Sequence, residues 1–299
     1  MYPWLSTVQQ QYAQQQQQGR LHHAHLLYGA EGVGKRALAE QLSQALLCEQ
    51  PLQMQPCGQC KGCKLIAAGT HPDLLMLSGD GSSIGVDAIR AISDFIQHSA
   101  QQGGAKCVII PNAQRMTVAA SNALLKTLEE PNNHCYLWLL SPGTANLSAT
   151  ILSRCAKQQI TVQDNEALDT WLQNHASLAI QQPFAVHFKT QPLLLRQWQE
   201  NDELGQIQTL YQALYEQQLA GDEQKLVDIL AQNSQYIAIF RLFVSQFLLH
   251  KSQQGLSFTA FERCYRQLQH FSEQVTQTPG LNMSLALAKL LRVLKQELG

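Results

Sequence analysis

Apolar positions in the first half of the chain switch repeatedly between short continuous runs and helical spacing. His25-Leu26-Leu27-Tyr28, Leu74 to Leu77, Lys106 to Ile110 and Tyr136 to Leu140 read as strands. Between them Leu38, Leu42, Ala45 and Leu46 share one helical face, as do Val86, Ile89, Ser93 and Ile96. A further helix is predicted from about Thr117 to Glu130, where Pro131 stops it. Nearly continuous apolar strands alternating with helices predict a parallel sheet covered on both faces. The glutamine runs Gln9-Gln11 and Gln14-Gln18 are expected on the solvated face of an N-terminal helix.

After about Gln163 the strand signal fades. Leu204, Ile207, Tyr211 and Leu214 form one helical stripe, and Phe240, Phe243, Val244, Phe247 and Leu248 a wider one. Leu287, Leu290, Leu291, Leu294 and Leu298 form the last. Helices this apolar need a large surface to pack on, so the C-terminal third is predicted to be a helical bundle. The fold class is therefore α/β followed by all-α.

Composition narrows the functional classes. The 299 residues suffice for two or three domains, and 45% hydrophobic content is that of a globular protein. A net charge of -1 argues against a protein that grips DNA unaided through many phosphate contacts. No apolar run spans a bilayer, and Met1 to Leu5 has neither a basic nor an apolar leader region, so a cytoplasmic protein with no membrane partner is expected.

Gly29-Ala30-Glu31-Gly32-Val33-Gly34-Lys35-Arg36 fits G-x-x-x-x-G-K between a predicted strand and a predicted helix. Gly29, Gly32 and Gly34 would let backbone N–H groups wrap a phosphate, with Lys35 reaching the terminal phosphates. The next position ordinarily supplies a hydroxyl to magnesium. Arg36 stands there, and a guanidinium has no lone pair to give a metal. A hydrolytic site also needs an acid at the end of a neighbouring strand. Strand Cys107 to Ile110 instead runs into Pro111-Asn112-Ala113-Gln114. No hydrolysis is expected here; nucleotide held without hydrolysis and a loop that merely turns the chain both remain open.

Eight cysteines are present, and Cys57-Gly58-Gln59-Cys60-Lys61-Gly62-Cys63 crowds three of them into one turn, with Cys48 just upstream. Four thiolates at this spacing suit tetrahedral zinc, with no position left for a catalytic water. A structural Zn2+ clip is predicted; the redox reading of C-x-x-C lacks a thioredoxin-like pattern. His71 is a spare candidate ligand, though its His-Pro-Asp setting reads as a turn, and His22, His23 and His25 read as local packing. Cys107, Cys135, Cys155 and Cys264 read as isolated thiols.

In order along the chain stand the degenerate loop, the cysteine clip, Gly69-Thr70-His71-Pro72-Asp73, Asn122-Ala123-Leu124-Leu125-Lys126-Thr127-Leu128-Glu129-Glu130-Pro131 and Ser153-Arg154-Cys155. That order resembles the bacterial DNA polymerase III clamp-loader subunits, of the AAA+ clamp-loader family. The missing magnesium groups and the opening Tyr2-Pro3-Trp4-Leu5 look like its delta-prime branch rather than the ATP-hydrolysing gamma/tau branch. The likeness is strong over the first 160 residues and returns faintly at Gly280-Leu281-Asn282. It implies an AAA+ α/β domain over residues 1–163 with a zinc insert at 48–63, a helical lid over 164–204 and a helical collar over 205–299. It further implies a place in a five-membered ring with gamma/tau and delta subunits, which loads a sliding clamp on primed DNA during replication. Arg154 would then be an arginine finger serving the neighbouring subunit's ATP site, where such a residue typically contributes about 10³ to 10⁵ in rate. Ser141, at the sensor position, and Gln181-Gln182-Pro183-Phe184, without a sensor glycine, depart from active relatives.

Two other readings compete. The chain could be a self-sufficient ATPase whose magnesium is held by Glu129 or Glu130, which turnover by the isolated chain would reveal. Alternatively the cysteine clip belongs to a nucleic-acid-binding module, for which Lys61 and Lys64 are the only nearby cations.

Overall fold

The computed structural model describes residues 2–79, 83–102, 104–132, 134–163, 165–215, 223–277 and 281–298. Asp164, the first residue of the expected lid, and Gly280 lie outside the described residues. By internal contacts the chain divides into a unit of residues 1–176 with 188–196, and a second of 177–187 with 197–299.

The first unit is built on five strands among the described residues: β1 (Ala24–Tyr28), β2 (Leu74–Met76), β3 (Lys106–Ile110), β4 (Cys135–Ser141) and β5 (Ala156–Gln159), in the order β2-β3-β4-β1-β5. All four pairings are parallel, with Leu26 opposite Leu139 on one side and Lys157 on the other. Every β3 residue is buried, as a strand covered on both faces requires. On one face Val108 and Ile110 join Ile89, Ile92 and Ile96 of α4 (Val86–Gln97) and Leu124 and Leu128 of α5 (Val118–Glu129). On the other, Cys107 lies with Leu47, just past α2 (Lys35–Leu46), and Ile66 of α3 (Lys61–Ala67).

Local chemistry sets the helix ends. Thr117 caps α5 by accepting from the Ala120 N–H, and Ser148 caps α6 (Ala149–Arg154) by accepting from the Ile151 N–H. The last carbonyls of α4 are satisfied from outside the helix: Lys106 Nζ donates to Phe95 O at 2.5 Å, and Asn132 Nδ2 to Ile96 O at 2.8 Å. In α1 (Ser6–Gln17) the glutamines are exposed as expected except Gln9, which is buried and donates to Met54 O.

The second unit is helical, as the stripes foretold. Ile207 and Leu214 of α7 (Leu204–Tyr215) are buried, together with all five apolar positions of the stripe on α8 (Ser234–Gln253). Leu287, Leu290, Leu291 and Leu294 of α10 (Met283–Leu298) are buried too, and α10 packs on α9 (Phe258–Gln277). Among the described residues no helix is long and apolar enough to cross a membrane.

Candidate functional sites at the two edges of the sheet

In a parallel sheet every strand points the same way, so its two edges differ chemically. The strand-end edge, where ligands of open α/β sheets bind, carries the glycine loop after β1. Gly29, Gly32, Gly34 and Lys35 come together there. Gly34 is the left-handed cap of α2 (φ 95°), and a side chain on Gly29 would meet Ile160 O at 2.2 Å.

The chain itself closes over this loop. Trp4 Nε1 donates to Val33 O at 2.9 Å and the Leu193 N–H to Gly32 O at 3.1 Å. Tyr2 and Trp4 stack on each other, and both meet Trp171 edge-on. Lys35 Nζ donates to two loop carbonyls, Gly29 O at 2.6 Å and Ala30 O at 2.7 Å. Burial pushes the Lys35 ammonium down to about 8, against a pull upward from Glu31. Arg36, at the magnesium position, runs along its own helix to Glu40 at 2.8 Å. Beyond β3, Asn112 donates to Gly79 O, so an amide occupies the place where a metal-binding acid would stand.

The cysteines also assemble. The Sγ atoms of Cys48, Cys57, Cys60 and Cys63 all lie within 4.8 Å of one another. Those of Cys48 and Cys60 are 3.8 Å apart, and a tetrahedron with Zn–S bonds of about 2.3 Å has an edge of about 3.8 Å. Backbone N–H groups of Gln50 and Cys57 donate to Cys48 Sγ, that of Cys60 to Cys57 Sγ and that of Cys63 to Cys60 Sγ, at 3.3–3.4 Å. The Cys63 N–H draws the Cys60 thiol down to about 6, while burial pushes Cys63 up to about 12. A divalent metal is what would hold both kinds of sulfur as thiolates, so the residues fit a structural tetrathiolate ion. Gly62 is required because a Cβ would strike Leu47 O at 2.5 Å. His71 stands outside this ligand set; its Nδ1 accepts from the Asp73 N–H, the turn its sequence suggested.

Arg154 lies at the opposite edge. It ends α6 just ahead of Ala156, which pairs with His25 near the start of β1, whereas Gly29 follows the end of that strand. From His25 to Gly29 the strand rises about 13 Å, and Arg154 lies beyond the His25 end. Arg154 NH2 pairs with Glu129 Oε1 at 2.6 Å, and NH1 donates to Thr150 O at 3.0 Å and Ser153 Oγ at 3.3 Å. Cys155 beside it is buried in the core. Nothing in the sequence pattern pointed to the Glu129 partnership. Glu129 and Glu130 end a helix that runs back to the strand-start edge, so neither is placed to hold magnesium at Lys35.

The family model described as "DNA polymerase III, delta subunit" matches residues 4–164, more than half of the chain. The chain belongs to this family. It is similar to the DNA polymerase III subunit delta' of Pseudomonas aeruginosa, 44% identical over 176 residues, which cover 58% of this chain and 52% of that one. To the corresponding subunit of Haemophilus influenzae it is 40% identical over 183 residues, 61% of this chain and 56% of that one. The chain thus spans about half the length of the curated relatives it matches. A solved DNA polymerase III gamma-subunit-related protein of Thermotoga maritima shares the fold, with a TM-score of 0.52 at 19% identity over 93% of this chain and 95% of that one. The α/β unit is therefore of the AAA+ clamp-loader type.

Proposed function

We propose that this chain is the non-hydrolysing delta-prime member of a DNA polymerase III clamp loader and lends Arg154 to the ATP site of a neighbouring gamma/tau subunit. The observation that carries the reading is the position of Arg154, at the far edge of the sheet from its own phosphate loop, anchored and one-third exposed. A guanidinium there has no substrate within its own chain. Presented to an adjoining subunit, it would stabilise charge growing on the transferred phosphoryl group. The local site supports the division of labour: Lys35 is turned onto loop carbonyls and Arg36 onto Glu40.

In this reading the chain forms a five-membered ring with gamma/tau and delta subunits in the cytoplasm. Residues 1–163, 164–204 and 205–299 serve as AAA+ domain, lid and collar. ATP binding and hydrolysis by the neighbours open the sliding clamp and close it on primed DNA. Arg154→Ala is expected to lower ATP turnover of the reconstituted assembly about 10³-fold while leaving assembly intact, and unchanged turnover would refute the finger.

The cysteine cluster holds one structural zinc ion, which fixes the chain between α2 and α3. Metal analysis of the purified chain should find about one zinc per molecule and almost none in Cys63→Ser. A metal-free native chain of full stability would remove zinc from the account.

A further inference from the structure

We propose that Glu129 is a positioning residue for Arg154, holding its guanidinium in the orientation in which it meets the neighbour's phosphate. This rests on the reading of Arg154 given above. Glu129 is the last residue of α5, where the helix already presents negative partial charge, so a carboxylate there is disfavoured unless a cation answers it. Arg154 is that cation, at 2.6 Å.

The end of α5 is itself fixed. Leu124 and Leu128 lie in the core, and Leu128 O interacts with His23 Nε2 at 3.0 Å. The arginine's own backbone is equally constrained, by the Ser148 cap at one end of α6 and buried Cys155 at the other. Glu129 therefore joins two rigid elements. Without it the side chain would keep only its bonds to Thr150 O and Ser153 Oγ, both on its own short helix.

Two hydrogen bonds from NH1 and the ion pair at NH2 locate the fork. Among the described residues the Nε–H has no acceptor, which leaves one side of the guanidinium free for a phosphoryl oxygen while Glu129 stays bound. Orientation fixed before the substrate arrives acts on the transition state rather than on nucleotide affinity.

The test is steady-state ATPase of the assembled loader containing Glu129→Gln, Glu129→Asp, Arg154→Ala or the Glu129→Gln/Arg154→Ala pair. Glu129→Gln is expected to lower kcat about tenfold with KM nearly constant, and Glu129→Asp, which keeps the charge, to recover part of it. The double variant should be no slower than Arg154→Ala alone, because the carboxylate acts only through the arginine. If Glu129→Gln turns over normally while Arg154→Ala does not, the positioning role fails and the finger stands. Additive losses in the double variant would likewise overturn it. Normal turnover by Arg154→Ala would overturn both readings.

Discussion

One sheet presents two cation-bearing edges, and they are built for opposite ends. At the strand-end edge Lys35 bonds carbonyls of its own loop, and the loop lies beneath Trp4, Leu193 and Leu194. At the strand-start edge Arg154 is held by an ion pair with Glu129 and by hydrogen bonds to Thr150 O and Ser153 Oγ, yet keeps part of its fork open. The first turns two of its N–H donors onto its own loop and is largely buried, whereas the second stays one-third exposed at the surface. On the proposed reading, a phosphate loop survives here as a packing motif while the arginine on the other side of the sheet serves a neighbouring subunit. An exchange of roles between the two edges would show first in ATP turnover. Lys35→Ala should leave turnover of the assembled loader within about twofold, against a loss of about 10³-fold for Arg154→Ala. A large loss for Lys35→Ala would mean that the loop still works on a nucleotide.

The glycines sharpen the same contrast. Gly32 has φ 76°, and a Cβ there would lie 2.8 Å from the Leu194 Cβ and 2.9 Å from its backbone N. If the loop is retained for packing, Gly32→Ala should cost stability, about 3 kcal/mol from left-handed strain and overpacking together. Urea unfolding of the isolated chain measures it. Unchanged stability with loss of a bound nucleotide would instead assign the glycine to ligand binding.

What the sequence disclosed follows the range of the interactions. The strands of the central sheet were legible to within a residue or so because burial on both faces forces continuous apolar runs, as in Lys106–Ile110. β5 was not, because Ala-Lys-Gln-Gln at a sheet edge pairs with β1 alone and buries little. α3 was hidden by Gly62 and by cysteines spaced for a metal rather than for a helical face. The glycine loop and the four thiols were legible as sites because each closes within a short stretch of chain. The ion pair of Glu129 with Arg154 was not. It exists only because β1 sits between β4 and β5, bringing the end of α5 to the end of α6. Glu129, read from sequence only as a possible magnesium ligand, turns out to face an arginine.

The smallest expected effect concerns the arginine edge under acid. His25, near the start of β1, is buried against Trp138; its Nε2 donates to His22 O at 2.8 Å and its Nδ1 faces Tyr12 OH at 3.4 Å. Those partners suit the neutral ring, and burial lowers its pKa to about 4, with His22 and His23 opposing protonation further. The unfolded chain takes up this proton near pH 6.5 and the folded chain only near 4, so between those values the unfolded state binds more protons and stability falls as pH falls. From pH 7.5 to pH 5 the loss attributable to His25 is about 2 kcal/mol. Subtracting the pH dependence of unfolding for His25→Phe from that of the parent isolates it. Because His23 on the same edge meets Leu128 O beside Glu129, loosening here should reach the arginine before the phosphate loop. Hydrogen exchange at pH 5 should therefore rise first around the end of α5, and earlier exchange around Lys35 would show that the two edges are not mechanically distinct.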